Sequence, residues 1–513
     1  MVNPWLIAIS VMLGTFMEVL DTTVVNVSLP HVAGSLGATV DEATWVLTSY
    51  LVANAIILPM TGWLANRFGR KRILMTSIGG FTLASALCGV APTLPLLLLF
   101  RVIQGATGGG LQPLSQAIML EAFPPEKRGR AMAFWGLGIV VAPMLGPVLG
   151  GWLTDSYSWR WLFYINVPVG ILALGMSEVF VFDPAYIKRI IARVDYWGLG
   201  LLAIGMSALQ IMLDKGQEED WFSSHFIAVL ATLAAVGLGC FIVNEIWQAH
   251  PIVNLRVFRV RSYSTGVLLM TMLGFVLYGS MVLLPIFLQT LLGYSALNAG
   301  VAMLPRGLGS FIAMPVVGIL TAKIEPRKLL AAGLLVAAAS LWWLSIINLD
   351  AGYWDIFWPQ FVQGLSMGFI FVPLTTATHD AIAKEQMGNA TSIFNVMRNI
   401  GGSMGIASAT TIVARSTQTN IKVLGANVTP YSPAAQSLMK NALGLFTSRA
   451  GSPAPVAARQ AYGAVFGMVA QQSAMVANIH AFRLLSLIFV AATPLIMLMH
   501  RPRHHGGTEV GTH

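Results

Sequence analysis

Charged side chains are scarce in this sequence, and their scarcity excludes an ordinary water-soluble fold. Asp, Glu, Lys and Arg make up only 10% of the 513 residues, whereas hydrophobic residues make up 56%. Soluble globular domains carry about 25% charged residues. The mean hydropathy of +0.72 means that the chain has more apolar sequence than the core of a soluble protein can bury. The composition therefore indicates that most of the chain lies in lipid.

Cysteine and the usual catalytic motifs are also nearly absent. Cys88 and Cys240 both lie in apolar runs, so the sequence has neither a disulfide framework nor the ligand spacing of a zinc site. It lacks a Gly-x-x-x-x-Gly-Lys-Ser/Thr phosphate loop and a His-Glu-x-x-His motif, which excludes direct use of ATP and zincin-type hydrolysis. We therefore expect no enzymatic activity and no metal or organic cofactor.

Long apolar stretches are abundant instead. A membrane-spanning helix needs about 20 mostly apolar residues. Fourteen stretches meet that length, at approximately 5–29, 43–63, 73–91, 95–121, 131–153, 161–182, 196–213, 225–247, 264–291, 297–321, 329–348, 356–378, 389–413 and 479–499. No alternating pattern of barrel strands accompanies them. The sequence thus predicts an all-α integral membrane protein with fourteen transmembrane helices.

The net charge of +9 is spread over short connections, not gathered in one patch, which argues against nucleic-acid binding. One set of connections holds Arg67, Arg70, Lys71, Arg72, Lys127, Arg128, Arg130, Lys188, Arg189, Arg193, Arg256, Arg259, Arg261, Lys323, Arg327, Lys328, Lys384, Arg501 and Arg503. The opposite set holds the acids Asp41, Glu42, Glu218, Glu219, Asp220, Asp350 and Asp355. The positive-inside rule places the basic set and both termini in the cytoplasm.

The second half of the chain repeats the first at an offset of 256 to 260 residues. The matches include Pro59 and Gly62 with Pro315 and Gly318, Arg70 and Lys71 with Arg327 and Lys328, Gln104 and Gly105 with Gln363 and Gly364, Gly129 with Gly388, and Gly146 with Gly405. Matches in the same order at a nearly constant offset predict two parallel six-helix repeats with two inserted helices between them.

We accordingly predict three regions. Residues 1–190 form the N-terminal six-helix bundle, residues 191–255 the inserted helix pair, and residues 256–513 the C-terminal six-helix bundle. A long periplasmic loop at 415–478 belongs to the last region, and its apolar spacing predicts two amphipathic helices. These helices form either a small cap on the protein or a surface for a partner.

Three motifs resemble signatures of the major facilitator superfamily. They are the loop Gly62-Trp-Leu-Ala-Asn-Arg-Phe-Gly-Arg-Lys-Arg72, the segment Arg101-Val-Ile-Gln-Gly105, and the antiporter-like segment Ala142-Pro-Met-Leu-Gly-Pro-Val-Leu-Gly-Gly151. The resemblance implies the major facilitator fold, moved by alternating access. It also implies that Gly62, Asn66, Arg67, Gly69, Arg70, Gly146, Pro147, Gly150 and Gly151 serve conformational change. Asn66 departs from the family, which usually has Asp there.

Two further segments, Leu20–Pro30 and Trp159–Gly170, resemble motifs of the fourteen-helix drug:proton antiporters. The likeness covers nearly the whole chain and is strongest to the EmrB-type multidrug exporters of Gram-negative bacteria. It implies export of hydrophobic drugs or toxic compounds, driven by the proton gradient. It also implies a periplasmic adaptor and an outer-membrane channel as partners.

Glu18 and Asp21 are the candidate proton-coupling carboxylates. They are three residues apart in the first apolar stretch and therefore share one helix face. Burial and mutual repulsion disfavour charging both groups, which suits a site that takes up and releases a proton. Asp21 is our first candidate and Glu18 the second, while a structural, hydrogen-bonded role remains the alternative for both. By resemblance, Arg101 takes part in proton transfer.

Five polar residues within the apolar stretches are candidates for the substrate cavity: Asn26, Gln104, Arg306, Asn395 and Arg398. An ionisable residue inside a membrane span is expensive and marks a functional site by default. Arg306 and Arg398 therefore act either as contacts for anionic substrates, as counter-charges for carboxylates, or in structural pairing.

The expected function is a proton-coupled drug exporter. The alternative is a proton-linked transporter of the same fold that carries one specific metabolite, as importer or exporter; the antiporter-like segment argues against import. A non-transporting membrane sensor is a remote alternative, because no loop is large enough for a soluble output domain.

Overall fold

The computed structural model of the chain describes residues 3–183, 194–248, 250–429, 431–448 and 453–499, and these residues form helices and connections without a β-strand. Some predictions fall elsewhere. Lys188, Arg189, Arg193, Arg501 and Arg503, and the predicted boundary between residues 190 and 191, lie outside the described residues.

Eighteen α-helices follow one another along the described chain. They are α1 (Pro4–Val27), α2 (Leu29–Leu36), α3 (Val40–Phe68), α4 (Arg70–Val90), α5 (Leu94–Gly108), α6 (Leu111–Ala122), α7 (Pro125–Ser156), α8 (Trp161–Tyr164), α9 (Asn166–Phe180), α10 (Tyr196–Lys215), α11 (His225–Trp247), α12 (Arg261–Thr290), α13 (Ala296–Leu320), α14 (Pro326–Leu344), α15 (Tyr353–His379), α16 (Met387–Gly425), α17 (Pro433–Ser448) and α18 (Ala454–Ala492). Short 3₁₀ helices occur at Trp221–Ser223, Leu255–Arg259, Lys384–Gln386 and Thr493–Leu498.

Thirteen helical segments of the described chain are long and apolar enough to cross a membrane, which confirms the all-α membrane fold but not the count of fourteen. Two of them are each built from two consecutive helices, α5 with α6 and α8 with α9. The remaining predicted span, 389–413, lies in α16. This helix has 39 residues but carries Asn389, Asn395 and Arg398 early in its length, so its hydropathy is too low to qualify.

Packing is repeated in the two halves. In the first half α1 packs on α7 and α9, and α4 packs on α5 and α9; in the second half α12 packs on α16 and α18, and α14 packs on α15 and α18. The halves meet where α3 contacts α16 and where α7 contacts α13. This is the arrangement that the sequence repeat predicts, and it leaves the midplane between the halves as the natural place for a site.

The halves are tightly joined at the end of the bundle that carries Arg67 to Arg72, called here the basic end. A Cβ atom on Gly62 of α3 would lie 2.6 Å from the backbone nitrogen of Asn389 in α16, so only glycine permits this crossing. Residues 387–395 of α16 are all buried, whereas none of residues 411–425 toward the opposite, acidic end is buried. The conformation is therefore closed at the basic end.

The segment 415–478 is mostly helical and not an open loop. The helix α16 continues to Gly425, α17 covers the first predicted amphipathic helix, and the second is continuous with the last span in α18. Both α16 and α18 have 39 residues, which corresponds to about 58 Å at 1.5 Å per residue and exceeds a hydrocarbon core of about 30 Å. The side of the membrane on which this segment lies stays a prediction.

The inserted pair, α10 and α11, is attached to the bundle through α10, which packs on both α3 and α16. At the acidic end Lys215 Nζ donates to Thr44 Oγ1 of α3 at 2.6 Å. Trp221 Nε1 donates to Thr411 Oγ1 of α16 at 2.8 Å. The pair thus contacts both halves, through α10 and through Trp221.

Candidate functional site

A buried ion pair joins α1 to α5 in the first half. Arg101 Nη1 lies 2.6 Å from Asp21 Oδ2, and neither side chain is exposed. Arg101 Nε also donates to the carbonyl oxygen of Val46 at 3.0 Å, and its guanidinium carbon lies 4.2 Å from the ring centre of Tyr50. Each charge is therefore compensated within the protein, which offsets the cost of removing it from water.

Two amide side chains complete the surroundings of Asp21. Asn166 Nδ2 of α9 donates to Asp21 Oδ1 at 2.8 Å, and Gln104 Nε2 donates to the same oxygen at 3.1 Å. Gln104 also accepts a hydrogen bond from Arg101 Nη1 at 2.8 Å. Gln104 thus belongs to the Asp21 cluster, although we assigned it to the substrate cavity. Every contact is a donor to the carboxylate, which fits an ionised Asp21.

Glu18 lies one helical turn before Asp21 and has different neighbours. Gln112 Nε2 donates to Glu18 Oε2 at 2.6 Å, Asn54 Nδ2 donates to Oε1 at 3.2 Å, and the Tyr50 hydroxyl donates to Oε1 at 3.4 Å. These partners are all neutral. The opposite charge that acts on Glu18, Arg398, is hydrogen-bonded to Gln112 and not to the carboxyl group itself.

Gln112 connects Glu18 to the other half of the protein. While its amide nitrogen donates to Glu18, its amide oxygen accepts a hydrogen bond from Arg398 Nη2 of α16. One turn further along α6, Gln116 Oε1 accepts from Asn395 Nδ2 of α16 at 2.5 Å. The first helix of one half is thus linked through α6 to the interface helix of the other half.

The second half has a polar cluster of its own at the position of the repeat. Gln363, the repeat counterpart of Gln104, places Nε2 at 3.5 Å from Ser280 Oγ of α12. Arg306 Nη2 of α13 donates to the same oxygen at 3.2 Å. Gln360, the counterpart of Arg101, donates to Gln363 Oε1 at 3.2 Å. Ser280 and Gln360 therefore occupy the positions that the charged Asp21 and Arg101 hold in the first half, each at an offset of 259 residues.

Arg306 and Arg398 face one small cavity between the halves. Its wall is otherwise apolar and includes Met144 of α7, Tyr278 of α12 and Phe371 of α15. The cavity has a volume of only about 10 Å³, whereas sites for drug-sized ligands measure about 300–1,000 Å³. The midplane is closed around the two arginines in this conformation.

The signature loop lies at the basic end, where it holds α3 and α4 to their neighbours. Gly69 joins the two helices with a φ of 97°, a conformation that favours glycine. The buried Arg70 places Nη1 at 2.5 Å from Glu121 Oε2 of α6. The backbone N–H of Gly62 donates to Ser392 Oγ of α16 at 3.1 Å.

Asn66 and Arg67 line a crevice between α3 and the start of α16, together with His250 and Asn389. The Arg67 guanidinium also lies 5.5 Å from the ring centre of Trp63. These loop residues therefore lie at the crossing of the two halves, and their role in conformational change stays a prediction.

The antiporter-like segment of α7 packs against both halves. A Cβ atom on Gly150 would lie 2.7 Å from the carbonyl oxygen of Val24, so this glycine permits close contact with α1, and Gly146 likewise packs against Thr23. A Cβ atom on Gly300 of α13 would lie 3.8 Å from Pro147, whereas one on Gly151 would meet nothing within 4 Å. Three of the four predicted motif residues thus have a packing role in this conformation.

Sequence reasoning missed several residues of the site, and its assignment of Asn26 to the substrate cavity stays a prediction. Asn26 is exposed on α1 and joins neither cluster. Gln112 and Gln116 were not singled out, although they are polar residues four apart within one apolar stretch and therefore share a helix face. Asn54 and Tyr50 carried the same signal, a polar group inside a span, but their partners are far away in sequence.

One segment has the spacing of a hydrolase nucleophile without its structural context. Gly364-Leu-Ser366-Met-Gly368 matches Gly-x-Ser-x-Gly, which in hydrolases forms a sharp strand-to-helix turn. Here it lies inside the continuous helix α15, and Ser366 Oγ donates to the backbone carbonyl oxygen of Gln363 at 2.6 Å. The match therefore marks no active site.

Comparison with known proteins relates the chain to membrane transporters. Residues 11–406 match the sequence profile described as Major Facilitator Superfamily. The chain is 41% identical over 434 residues to the multidrug export protein EmrB of Haemophilus influenzae, with 84% of this chain and 85% of that protein covered. It is 38% identical over 502 residues to the fatty acid resistance protein FarB of Neisseria gonorrhoeae, with 98% and 97% covered. It is 36% identical over 512 residues to EmrB of Escherichia coli, with 99% and 98% covered.

Solved structures show the same fold at low sequence identity. The human organic anion transporter MFSD10 matches with a TM-score of 0.62 and 13% identity, with 97% of this chain and 100% of that chain covered. The proton:xylose symporter XylE matches with a TM-score of 0.58 and 15% identity, with 96% and 95% covered.

Proposed function

The chain belongs to the major facilitator superfamily, and on that premise we propose that this membrane transporter is a proton-coupled antiporter that exports hydrophobic drugs or toxic compounds across the bacterial inner membrane. The observation that carries the proposal is the hydrogen-bonded path from Glu18 through Gln112 to Arg398. It joins a carboxyl group that can change its protonation state to the helix pair where the two halves meet.

Glu18 carries the transported proton in this proposal. Its partners are neutral, so binding a proton changes the net charge next to Gln112 and weakens the hydrogen bond that the amide nitrogen makes to the carboxyl group. Gln112 then holds Arg398 less firmly, and the contact between α6 and α16 loosens. Proton and exported compound favour different arrangements of the halves, and that difference in affinity is the coupling.

Asp21 and Arg101 have a positioning role in the same proposal. Asp21 was our first candidate for the proton site, and the family resemblance links Arg101 to proton transfer. Protonation of Asp21 would leave the buried Arg101 without its partner, which is costly. Tyr50 connects the two groups, because its ring lies on Arg101 and its hydroxyl donates to Glu18. The ion pair thus fixes the position of Tyr50 beside the proton site.

The remaining features of the proposal follow from charge and likeness. The proton gradient is the energy source, and no cofactor is needed. The basic end lies in the cytoplasm with both termini, so the closed basic end corresponds to an arrangement facing outward. Relatives named as multidrug exporters support an export function. A periplasmic adaptor and an outer-membrane channel are proposed as partners, with the helical segment 415–478 on the periplasmic side.

The test uses purified protein in liposomes with an imposed pH gradient. Amphiphilic drugs are added as a panel, and lumenal pH is followed for the wild type, for Glu18→Gln, and for Glu245→Gln. Glu245 is a matched control, because it is a buried carboxyl group in α11 that accepts from the backbone of Val253, away from the site. We expect drug-triggered proton movement in the wild type and in Glu245→Gln, and none in Glu18→Gln.

A second measurement separates lost coupling from lost folding. Exchange of labelled drug across the membrane without a pH gradient needs no net proton movement. We expect Glu18→Gln to keep this exchange. If proton movement persists in Glu18→Gln, Asp21 becomes the candidate proton site. If the wild type shows no proton movement with any compound, the antiport proposal is contradicted.

A further inference from the structure

Two buried arginines of the second half have unused hydrogen-bond donors. Arg306 is 0% exposed and Arg398 is 1% exposed. Among the described residues, Nε and Nη1 of both side chains have no hydrogen-bond partner. Arg70, Arg101 and Arg327 each have one buried nitrogen without a partner, whereas Arg306 and Arg398 each have two, so these two side chains are the least satisfied arginines of the described residues.

The second half also supplies no counter-charge. In the helices α12 to α18 the only acidic residue is Asp355, which lies in the first turn of α15 near the acidic end. No ion pair to Arg306 or Arg398 occurs in the described part of the chain. Arg398 Nη2 has two neutral contacts, to Gln112 and, at 3.4 Å, to Asn399 Oδ1, and Arg306 has one neutral contact to Ser280.

The arginine of the first half shows what compensation looks like in the same protein. Arg101 has Asp21 at 2.6 Å, a carbonyl oxygen and an aromatic ring. An uncompensated charge within a membrane span is costly. Arg398 is attracted by Glu18, which it reaches through Gln112. Arg306 has no acidic group acting on it among the described residues, so a negative charge from outside the chain is its natural compensation.

The lining of the cavity indicates the chemical character of the rest of the bound molecule. Both arginines face the cavity, and its remaining wall consists of aliphatic, aromatic and methionine side chains from both halves, among them Ile139, Met144 and Met281. We propose that Arg306 and Arg398 bind the anionic headgroup of an amphiphilic cargo, such as a carboxylate or sulfonate, whose apolar part lies along α7 and α12. Planar guanidinium groups bind such oxygens with paired, charge-assisted hydrogen bonds.

The inference rests on the proposed transport function, since it names the class of cargo for the same central site. The cavity is closed in this conformation, so the cargo enters when the halves separate. Methionine side chains adapt to varied apolar shapes, so the charge of the headgroup, more than the shape of the tail, decides what binds.

The test is equilibrium binding to the purified chain in lipid nanodiscs. Labelled decanesulfonate serves as a permanently anionic probe and labelled decyltrimethylammonium as a permanently cationic probe with the same tail length, and empty nanodiscs correct for partition into lipid. The variants are Arg306→Gln and, as a matched control, Arg483→Gln. Arg483 is an exposed arginine on α18 that lies over Trp342 and outside the cavity.

We expect saturable binding of decanesulfonate to the wild type and to Arg483→Gln, and affinity at least about tenfold lower in Arg306→Gln, the size expected for losing charge-assisted hydrogen bonds. Equal binding of both probes by the wild type, or undiminished binding by Arg306→Gln, overturns the inference.

Thermal unfolding keeps the result interpretable if Arg306→Gln binds nothing at all. Because Arg306 has only the Ser280 hydroxyl as a partner in the empty protein, its replacement raises or preserves the melting temperature, and decanesulfonate stabilises the wild type but not the variant. A lower melting temperature of the empty variant would mean that Arg306 is a structural residue and would reject the site. Anion binding without drug-triggered proton movement in liposomes would contradict the antiport proposal alone.

Discussion

The buried arginines of the two halves differ in whether they have a counter-ion. In the first half Arg101 is held by Asp21, with Gln104 beside both groups. In the second half the repeat counterpart of Arg101 is neutral Gln360, and the arginine comes instead from α13 as Arg306, with only a serine hydroxyl as partner. The helix packing is repeated, but the charges are not.

This difference separates charges that are neutralised by a counter-ion of the same chain from charges that are available to bind an anion. A cation whose counter-ion belongs to the same chain stabilises the fold and holds its neighbours in place. A cation without one raises the energy of the empty protein and lowers the energy of a complex with an anion. Two helix bundles with the same packing can therefore differ in function, with proton binding in the first half and binding of the anionic headgroup of the cargo in the second.

The largest expected effect comes from breaking the compensated pair. Asp21→Asn leaves Arg101 buried without a counter-ion, so we expect the free energy of unfolding to fall by roughly 3–5 kcal/mol and transport to be lost. The double variant Asp21→Asn with Arg101→Gln makes the first half resemble the second, and it should recover most of that stability. A double-mutant cycle on thermal unfolding measures the coupling. Simple additivity of the two single losses would contradict the pairing.

A smaller effect comes from giving the second half the counter-ion that it lacks. Ser280→Asp places a carboxylate beside Arg306, whose Nη2 lies 3.2 Å from the serine oxygen. We expect this variant to be more stable than the isosteric Ser280→Asn by roughly 1–3 kcal/mol, and to bind decanesulfonate about tenfold more weakly. Unfolding and binding of the two variants, measured side by side, check both statements. Equal anion affinity in the two would argue that Arg306 does not contact the cargo.

The smallest effect concerns the two repeat-related glutamines. Gln104 donates to the charged Asp21, whereas Gln363 makes a long contact of 3.5 Å to a neutral hydroxyl. We expect Gln104→Leu to lower the free energy of unfolding by roughly 1–3 kcal/mol and Gln363→Leu by less than about 1.5 kcal/mol. Thermal unfolding of the matched pair gives the comparison. The reverse order would mean that the two clusters do not differ in their electrostatics as described.

Several features of the fold were accessible from the sequence because they depend on local composition. Apolar stretches of spanning length predict membrane helices wherever they occur, and thirteen of the fourteen predicted stretches coincide with qualifying helical segments. The exception, α16, is polar because its first part lies between the two halves and not in lipid. The segment 415–478 was predicted as a loop because its low hydropathy interrupts the last spans, yet α16 and α18 continue as helices through most of it.

The sequence by itself determined that this protein is an all-α membrane protein of two repeated halves with charges inside its spans, because lipid and backbone hydrogen bonding leave few other choices. That it is a transporter followed from the resemblance of its motifs to a family. Only the tertiary structure decided which charges are paired. Asp21 and Arg101 are 80 residues apart, and Gln112 and Arg398 are 286 residues apart. Their meeting depends on how each helix is rotated and packed against helices distant in sequence, so the pattern of one stretch cannot reveal that Glu18 has neutral partners or that Arg306 has no counter-ion.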